Sequence, residues 1–162
     1  MAESKDERRI NDARTLLGEA EARLTPQREA VLKALLDNPS GHKSAEEVWS
    51  SARRIYNDLG LATVYRSLEL FARLGVVRRL DTTEGQSRYE YNADSEHYHH
   101  HVICLLCGKI AEFNEDLLEN IESRVENRTG YKIVDHCLQL YGYCPACTAA
   151  RQEEHGGDTN SE

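Results

Sequence analysis

The stretch GLATVYRSLELFARLGVV, residues 60–77, decides the fold of the first half of the chain. Its large apolar residues recur at intervals of three and four positions: Val64, Leu68, Phe71 and Leu74. This spacing predicts a helix over residues 61–74 that buries one face. Gly75 is expected to end the helix, because glycine readily adopts the left-handed conformation found just after a helix.

Two further helices are predicted before this stretch, and a hairpin after it. Thr25, a capping residue followed by proline, marks the start of one helix. Ser44 and Glu47 form a capping box that marks the start of the next. Two β-like runs, residues 76–80 and 87–91, flank a polar loop and predict a hairpin. Three helices followed by a hairpin are the arrangement of a winged helix-turn-helix.

The second half predicts a small α/β domain, so the whole chain is of the α+β class. Strand-like runs and one helix, over residues 115–128, predict a mostly antiparallel three-stranded sheet together with that helix. The strand-like runs are residues 101–104, 109–113 and 132–142. Four segments are therefore expected: an N-terminal arm or helix (1–21), the winged-helix domain (22–92), the second domain (93–150) and a disordered acidic tail (151–162).

Charge is distributed unequally between the two halves. Residues 1–92 contain 15 basic and 15 acidic side chains, whereas residues 93–162 contain 5 basic and 13 acidic ones. The acidic, histidine-rich second half therefore suits cations, while the neutral first half can still present a basic face. No apolar run approaches the about 20 residues needed to span a bilayer, and the charged N-terminus lacks a secretory signal. We therefore expect no membrane partner and a cytoplasmic location.

Four of the five cysteines form two C-x2-C pairs: Cys104 with Cys107, and Cys144 with Cys147. Four thiolates complete the tetrahedral coordination of a structural Zn²⁺ and leave no open position. Redox dithiols or buried thiols are the alternatives, but this spacing in a reducing cytosol favours metal binding. The fifth cysteine, Cys137, lies alone in a predicted strand and is expected to be a small buried side chain.

A histidine-rich segment indicates a second kind of metal site. Five of the seven histidines lie at positions 97, 99, 100, 101 and 136. Strand alternation places His99 and His101 on one face and His100 on the other. Three carboxylates lie near by: Glu90, Glu112 and Glu119. Imidazole and carboxylate together suit Fe²⁺, Mn²⁺, Zn²⁺ or Co²⁺ in an exchangeable site, whereas a solvated polar strand end is the alternative.

These motifs together resemble the ferric uptake regulator family of bacterial metalloregulators. The resemblance rests on residues 60–77, the HxH motif before CLLCGK, the KIAEF strand and YGYCPAC, and it covers about residues 22–148. It implies a metal-dependent repressor that binds A·T-rich palindromic operators as a homodimer, or as a tetramer, and controls metal uptake. The second domain's sheet is the expected dimer interface, with these candidate contacts: Ile103, Leu105, Leu138 and Leu140.

The resemblance also implies which residues bind metal. Its regulatory site corresponds to His42, Glu90, His99, His101 and Glu112. Its additional site corresponds to His100, Glu119 and His136, but Tyr98 stands where a further ligand is expected, so that site is incomplete. The structural zinc of the family corresponds to the four paired cysteines.

The regulatory metal implied by the resemblance is Fe²⁺. Peroxide-responsive members, which sense H₂O₂ through iron-catalysed histidine oxidation, have aspartates where Glu90 and Glu112 stand. Zinc-sensing members place a cysteine near position 90, and this chain has none there. Peroxide sensing is the first alternative, and Mn²⁺ or Zn²⁺ sensing the next. One ion held by ligands from both halves is expected to stabilise the DNA-binding arrangement.

The N-terminal part of the helix over residues 61–74 is predicted to contact DNA. Arg66 can pair with guanine or phosphate, and Tyr65 can contact a thymine methyl or a phosphate, unless it packs within the protein. Thr63 is small enough for close approach to the backbone. Arg23 resembles the family's basic residue that enters the minor groove near A·T pairs. The wing arginines are expected to be phosphate contacts or solvated charges: Arg78, Arg79 and Arg88.

Two other classes of protein explain the sequence less well. A zinc-dependent hydrolase needs an open coordination position and a general base. The chain has no H-E-x-x-H helix, no Ser/His/Asp arrangement and no Gly-rich phosphate loop, so an enzyme is disfavoured. A metal-buffering protein would explain the histidines but not the winged helix.

Overall fold

The computed structural model describes residues 4–38, 41–82, 87–92, 100–113, 118–134, 136 and 138–155, without the side chains of 119 and 152–155. Two compact units are present, a first unit of Met1–Ala93 and a second unit of Asp94–Glu162. Within the described residues, no helix has both the length and the apolar composition needed to cross a membrane.

The first unit combines helices with a small antiparallel sheet. Its helices are α1 (Lys5–Glu19), α2 (Pro26–Leu36), α3 (Ala45–Ala52) and α4 (Leu61–Arg73), and its strands are β1 (Lys43–Ser44), β2 (Val77–Asp81) and β3 (Ser87–Tyr91). The strand order is β1-β3-β2, and both pairings are antiparallel. The predicted three helices and hairpin are confirmed, and of the two alternatives for the N-terminal segment, an arm or a helix, residues 5–19 form the helix.

Helix α4 forms because its apolar period matches the helical repeat. Val64, Leu68 and Phe71 are all fully buried in the core of the first unit. The helix ends at Arg73, followed by Gly75 at φ 72°, a conformation that glycine adopts without a steric cost. One face of α4 is therefore fixed in the core and the opposite face is left for contacts with other molecules.

The caps fix where the neighbouring helices begin. The side chain of Thr25 accepts a hydrogen bond from the backbone N–H of Arg28, and Pro26 occupies the first helical position. The capping box at α3 is also formed: Glu47 accepts from the Ser44 N–H at 2.7 Å, while Ser44 Oγ accepts from the Glu47 N–H at 3.3 Å. Both predicted helix starts are thus confirmed, and each satisfies backbone donors that the helix itself cannot.

Helix α1 packs on the rest of the first unit through a short apolar stripe. Ala13 and Leu17 are buried, and Ile10 packs against the same core. The guanidinium of Arg9 lies 5.2 Å from the ring centroid of Tyr91, at the end of β3, in a cation–π contact. The helix is therefore an integral part of this unit.

The described residues of the second unit form a three-stranded sheet and two helices. Its elements are β4 (His100–Cys104), β5 (Ile110–Phe113), α5 (Glu119–Thr129), β6 (Gln139–Gly142) and α6 (Pro145–His155), and the strand order is β5-β4-β6. The predicted α+β class is confirmed. The prediction of an antiparallel sheet is confirmed for β4 with β5 but is wrong for β4 with β6, which are parallel.

The parallel pairing follows from where the chain re-enters the sheet. β5 ends at Phe113, opposite His100, and β6 begins at Gln139, opposite His101. The connection containing α5 therefore leaves and returns at the same end of the sheet, on opposite sides of β4. β6 therefore runs antiparallel to β5 and parallel to β4.

The end of the described chain also differs from expectation. The tail predicted to be disordered from residue 151 begins inside α6, which continues to His155; Pro145 at the first helical position and the sequence TAARQEE favour this helix. Residues 156–162 lie outside the described residues.

Two of the candidate dimer contacts differ in exposure. Ile103 is fully buried within the chain, whereas Leu140 is exposed. Ile103 therefore has no surface to offer a partner.

We expect Phe71→Ala to lower the free energy of unfolding by about 3–5 kcal/mol, because it leaves a cavity among fully buried neighbours. Urea unfolding followed by the fluorescence of Trp49, the chain's one tryptophan, measures the change. The exposed Arg73 on the same helix supplies the control, since Arg73→Ala should shift stability by no more than about 0.5 kcal/mol. Equal effects of the two substitutions would show that α4 is not packed as described.

Candidate metal centres

The four paired cysteines converge at one end of the sheet in the second unit. Cys104 is the last residue of β4, Cys107 follows in a turn, and Cys144 and Cys147 flank the start of α6. Their sulfur atoms all lie within 4.8 Å of one another, and those of Cys107 and Cys144 are 3.8 Å apart. Zinc–sulfur bonds of about 2.3 Å in a tetrahedron place sulfur atoms about 3.8 Å apart. The donor set and its spacing therefore fit Zn²⁺.

Backbone amides favour the thiolate form that zinc binds. The amides of Cys107 and Cys144 lower the pKa of the Cys104 thiol to about 6, and the Cys144 N–H lies 3.3 Å from that sulfur. Hydrogen bonds with the thiols of Cys144 and Cys107 raise the pKa of Cys147 to about 12. Several sulfur atoms thus share a small space in which negative charge builds up, and a divalent cation would offset that charge.

The first unit brings two candidate regulatory ligands into direct contact. Glu90 on β3 is 1 % exposed, and its Oε2 lies 2.9 Å from Nε2 of His42, just before β1. Its other oxygen lies 3.4 Å from Nη1 of Arg78 on β2. The strand order β1-β3-β2 explains this arrangement, because it places the His42 segment and Arg78 on opposite sides of the central strand. A buried carboxylate is thereby paired on both sides.

The second unit places two other candidate regulatory ligands opposite each other. His101 on β4 is cross-strand partner to Glu112 on β5, and the imidazole is fully buried while the carboxylate is exposed. Directly opposed strand residues have Cβ atoms about 5 Å apart, within reach of a shared ligand. The third candidate from this unit, His99, lies outside the described residues, as do His97 and Tyr98.

The candidate additional site includes a residue that the sequence did not reveal. The rings of His100 and His136 have centroids 5.4 Å apart, and His100 also contacts the ring of Phe113. Nδ1 of His136 is hydrogen-bonded to Glu122 on α5. Glu119 begins α5, and its side chain is not described. Glu122 follows Glu119 by three positions, and this helical spacing was the available signal.

The candidate DNA contacts lie on the exposed part of α4 and before α2. Tyr65 is 40 % exposed and Arg66 is also exposed, whereas Thr63 is half-buried. The Tyr65 hydroxyl donates a hydrogen bond to Oε1 of Glu46 at 2.6 Å. Arg66 donates a long hydrogen bond of 3.4 Å to Thr63 Oγ1. Arg23 is exposed ahead of α2.

The wing arginines all make ion pairs inside the first unit. Arg78 pairs with Glu90, Arg79 with Asp81 at 2.8 Å, and Arg88 with Glu47 at 3.2 Å. Arg88 also donates to the backbone carbonyl of His42 at 2.9 Å. The pair of Arg88 with Glu47 joins the hairpin to α3, while the pairs of Arg78 and Arg79 lie within the hairpin; each of the three arginines has an acidic partner.

Comparison with known proteins identifies the family. The model of the ferric uptake regulator family matches residues 19–141. The chain belongs to the ferric uptake regulator family. The resemblance inferred from the motifs is therefore confirmed, and the protein is a metal-responsive transcriptional regulator. Members of this family are regulators of transcription, which supports the non-enzyme interpretation over the zinc-dependent hydrolase.

Similar members of this family include regulators of both iron uptake and peroxide response. The ferric uptake regulation protein of Bacillus subtilis (strain 168) is 40 % identical over 148 residues, which cover 91 % of this chain and 99 % of that protein. The peroxide-responsive repressor PerR of Staphylococcus saprophyticus is 33 % identical over 141 residues, covering 87 % and 93 %. Family membership therefore does not by itself distinguish the two signals.

A solved structure supports the same assignment. The ferric uptake regulator Fur of Helicobacter pylori, described as having three functional metal binding sites, matches with a TM-score of 0.72 at 28 % identity. The match covers 90 % of this chain and 95 % of that one. The two chains thus share their fold along nearly the whole length of each.

We expect Cys104→Ser to reduce bound zinc from about one ion per chain to near zero, because three thiolates leave the tetrahedron open. Metal analysis after purification gives the zinc content, and circular dichroism melting shows the accompanying loss of stability in the second unit. Cys137→Ser is the matched control and should retain zinc. Full zinc occupancy in Cys104→Ser would contradict the assignment of these four thiols.

Proposed function

We propose that the protein is an iron-responsive repressor. When loaded with Fe²⁺ it binds A·T-rich palindromic operators and thereby controls genes of metal uptake. The observation that supports this most directly is the buried contact between His42 and Glu90, next to the strand and helix that precede α4. A histidine–carboxylate pair in a winged-helix unit connects a set of metal-ligating side chains to the elements that would contact DNA.

The proposed regulatory site has five ligands: His42 and Glu90 from the first unit, and His99, His101 and Glu112 from the second. Nitrogen and oxygen donors suit Fe²⁺ or Mn²⁺ and allow exchange, in contrast to a closed set of thiolates. Two carboxylates offset the charge of a divalent cation. Cross-strand placement of His101 and Glu112 supports their joint participation.

Regulation would follow from the origin of these ligands in two units. A ligand set contributed by both units is complete only in some of their arrangements, so binding favours those arrangements by its differential affinity. A shift from 1 % to 99 % of the competent state needs about 10⁴-fold tighter binding to that state. His42 lies directly before β1 and α3, and α3 packs on α4, so its position is tied to the proposed DNA-contact helix.

Two further metal sites are part of the proposal. The four cysteines would hold a structural Zn²⁺ that joins the end of β4 to the start of α6. His100, Glu119 and His136 would form an additional site in which Tyr98 supplies no ligand. Glu122 would orient His136 there, since carboxylates commonly bond the second ring nitrogen of a metal-ligating histidine.

We propose that residues 22–92 are the DNA-binding domain and residues 93–150 the metal-binding dimerisation domain. Thr63, Tyr65, Arg66 and Arg23 would contact the DNA. Several large apolar side chains of the second unit are exposed in the single chain: Leu106, Ile121, Val125, Tyr131, Val134, Leu140, Tyr141 and Tyr143. So many exposed apolar groups in a small unit are typical of an interface, which supports a homodimer.

We expect Glu90→Ala and His101→Ala to abolish metal-dependent DNA affinity while zinc stays bound, because each removes a proposed regulatory ligand but no thiolate. Fluorescence anisotropy of a labelled palindromic A·T-rich duplex, with and without Fe²⁺ or Mn²⁺, measures the loss, which should exceed about tenfold. Glu69→Ala, an exposed carboxylate on α4, is the control. Operator binding that stays metal-dependent in Glu90→Ala would refute the regulatory site.

Peroxide sensing is the alternative within the family, and the relative PerR makes it worth a direct test. We expect the Fe²⁺-loaded protein to keep its DNA affinity after brief exposure to H₂O₂ and to gain no oxygen on its histidines. Mass spectrometry of tryptic peptides detects such additions. Rapid single-oxygen addition at His99 or His101, with loss of DNA binding, would establish peroxide sensing instead.

A further inference from the structure

The hydroxyl of Tyr65 forms a hydrogen bond with a residue of the first unit that lies 19 positions earlier in the chain. It donates to Oε1 of Glu46, in the first turn of α3, at 2.6 Å. The other carboxylate oxygen of Glu46 accepts a hydrogen bond from Ser44 Oγ at 2.9 Å. One carboxylate therefore joins the N-terminal turn of α3 to the exposed side of α4.

This bond determines what the phenol can offer to DNA. A tyrosine hydroxyl can donate one hydrogen bond, and here Glu46 accepts it. The same bond raises the pKa of Tyr65 and lowers the pKa of Glu46, so a neutral phenol and an ionised carboxylate are the stable pair at neutral pH. The hydroxyl therefore has no proton left to donate to DNA, and the ring can make apolar contact with a base edge.

We propose that Glu46 is a positioning residue for sequence-specific DNA binding, which holds the Tyr65 ring for contact with bases. This inference rests on the proposed function, in which α4 contacts DNA. Between a thymine methyl and a phosphate as partners of Tyr65, the geometry favours the methyl. A phosphate would face the Glu46 carboxylate, whereas a methyl group meets only the ring.

Two physical effects give Glu46 this role. A fixed ring loses less conformational entropy when it meets a base, which strengthens binding only to sequences that present the matching group. The carboxylate also repels phosphates whatever the sequence, which weakens binding to all DNA. Glu47, its neighbour, is paired with Arg88 at 3.2 Å, whereas Glu46 accepts hydrogen bonds from the neutral hydroxyls of Ser44 and Tyr65.

The test compares specific with non-specific binding of the full chain loaded with Mn²⁺. The wild-type protein first selects a duplex from a random pool, and anisotropy then measures affinity for that duplex and for a scrambled duplex of equal composition. The variants are Glu46→Ala, Glu46→Gln, Tyr65→Phe and the double variant Glu46→Ala/Tyr65→Phe. Glu69→Gln, which removes an exposed charge one turn further along α4, is the matched control for charge.

We expect the ratio of selected to scrambled affinity to fall about three- to tenfold in Glu46→Ala and in Tyr65→Phe. The double variant should fall no further, because both changes remove the same bond. Glu46→Gln should keep the ratio within about twofold, since its amide oxygen still accepts, although its affinity for both duplexes should rise as the negative charge is lost.

A second measurement separates ring placement from general damage to the fold. Replacing individual thymines of the selected duplex by uracil removes one methyl group and should cost the wild-type protein about fourfold at a contacted position. That sensitivity should disappear in Glu46→Ala and remain in Glu46→Gln. Trp49 fluorescence melting monitors folding, and Tyr65→Phe, a substitution that removes only the hydroxyl, tests the bond even where Glu46→Ala is unstable.

Several results would overturn the inference: an unchanged ratio in Tyr65→Phe, equal losses in Glu46→Gln and Glu46→Ala, or the same loss in Glu69→Gln. If the wild-type protein enriches no sequence with metal present, the proposed function fails and the inference fails with it. If it enriches a sequence but the variants retain the wild-type ratio, only the role of Glu46 is lost.

Discussion

The pairing of the buried Glu90 carboxylate with His42 and Arg78 is the interaction on which the arrangement of the first unit depends. A carboxylate that is 1 % exposed is costly unless charged or hydrogen-bonding partners surround it. Here the partners come from both sides of β3, so the same contacts hold the sheet together and would position the proposed metal ligand. Because Glu90 is already desolvated, a cation arriving there would exchange partners rather than strip water from an exposed group. The need of a buried carboxylate for charged partners therefore underlies both the role of Glu90 in the fold and its proposed role in sensing.

The second unit needs a source of stability besides its own apolar core, which the first unit does not. Among its described residues only Ile103 and Cys104 are buried apolar side chains, whereas the large apolar cluster lies entirely in the first unit. So small a core cannot offset the conformational entropy of folding by itself. The four thiols at the junction of β4, β6 and α6 and the exposed apolar side chains of α5 and β6 are the two available compensations, a metal and a partner. Soft thiolates suit a permanent ion, and the imidazole and carboxylate groups suit one that exchanges.

Most of the first unit could be predicted because its signals are local. The period of α4, the capping box at Ser44 and the proline after Thr25 each act within a few residues, and each is formed as expected. The direction of β6 could not be predicted, because it depends on where a 25-residue connection returns to the sheet. The same holds for the metal centres: the C-x2-C spacing is a local signal, whereas the contacts of Glu122 with His136 and of Glu46 with Tyr65 join residues 14 and 19 positions apart. Contacts between residues so far apart leave no periodic trace in a single sequence, although the helical spacing from Glu119 placed Glu122 on the same face of α5.

The distribution of charge explains why DNA binding by such a chain would need a metal at all. The net charge of −8 resides in residues 93–162, and the first unit is close to neutral. On the wing, the positive charges of Arg78, Arg79 and Arg88 are each paired with a carboxylate, so they add little attraction for phosphates at a distance. A strongly basic surface would bind DNA whether or not a ligand was present. In the proposed function, a weakly attractive surface would instead rely on a few well-placed groups, such as Arg66 and Tyr65, in the two copies of a homodimer. Binding would then depend steeply on geometry, which the proposed ligand shared between the units would control.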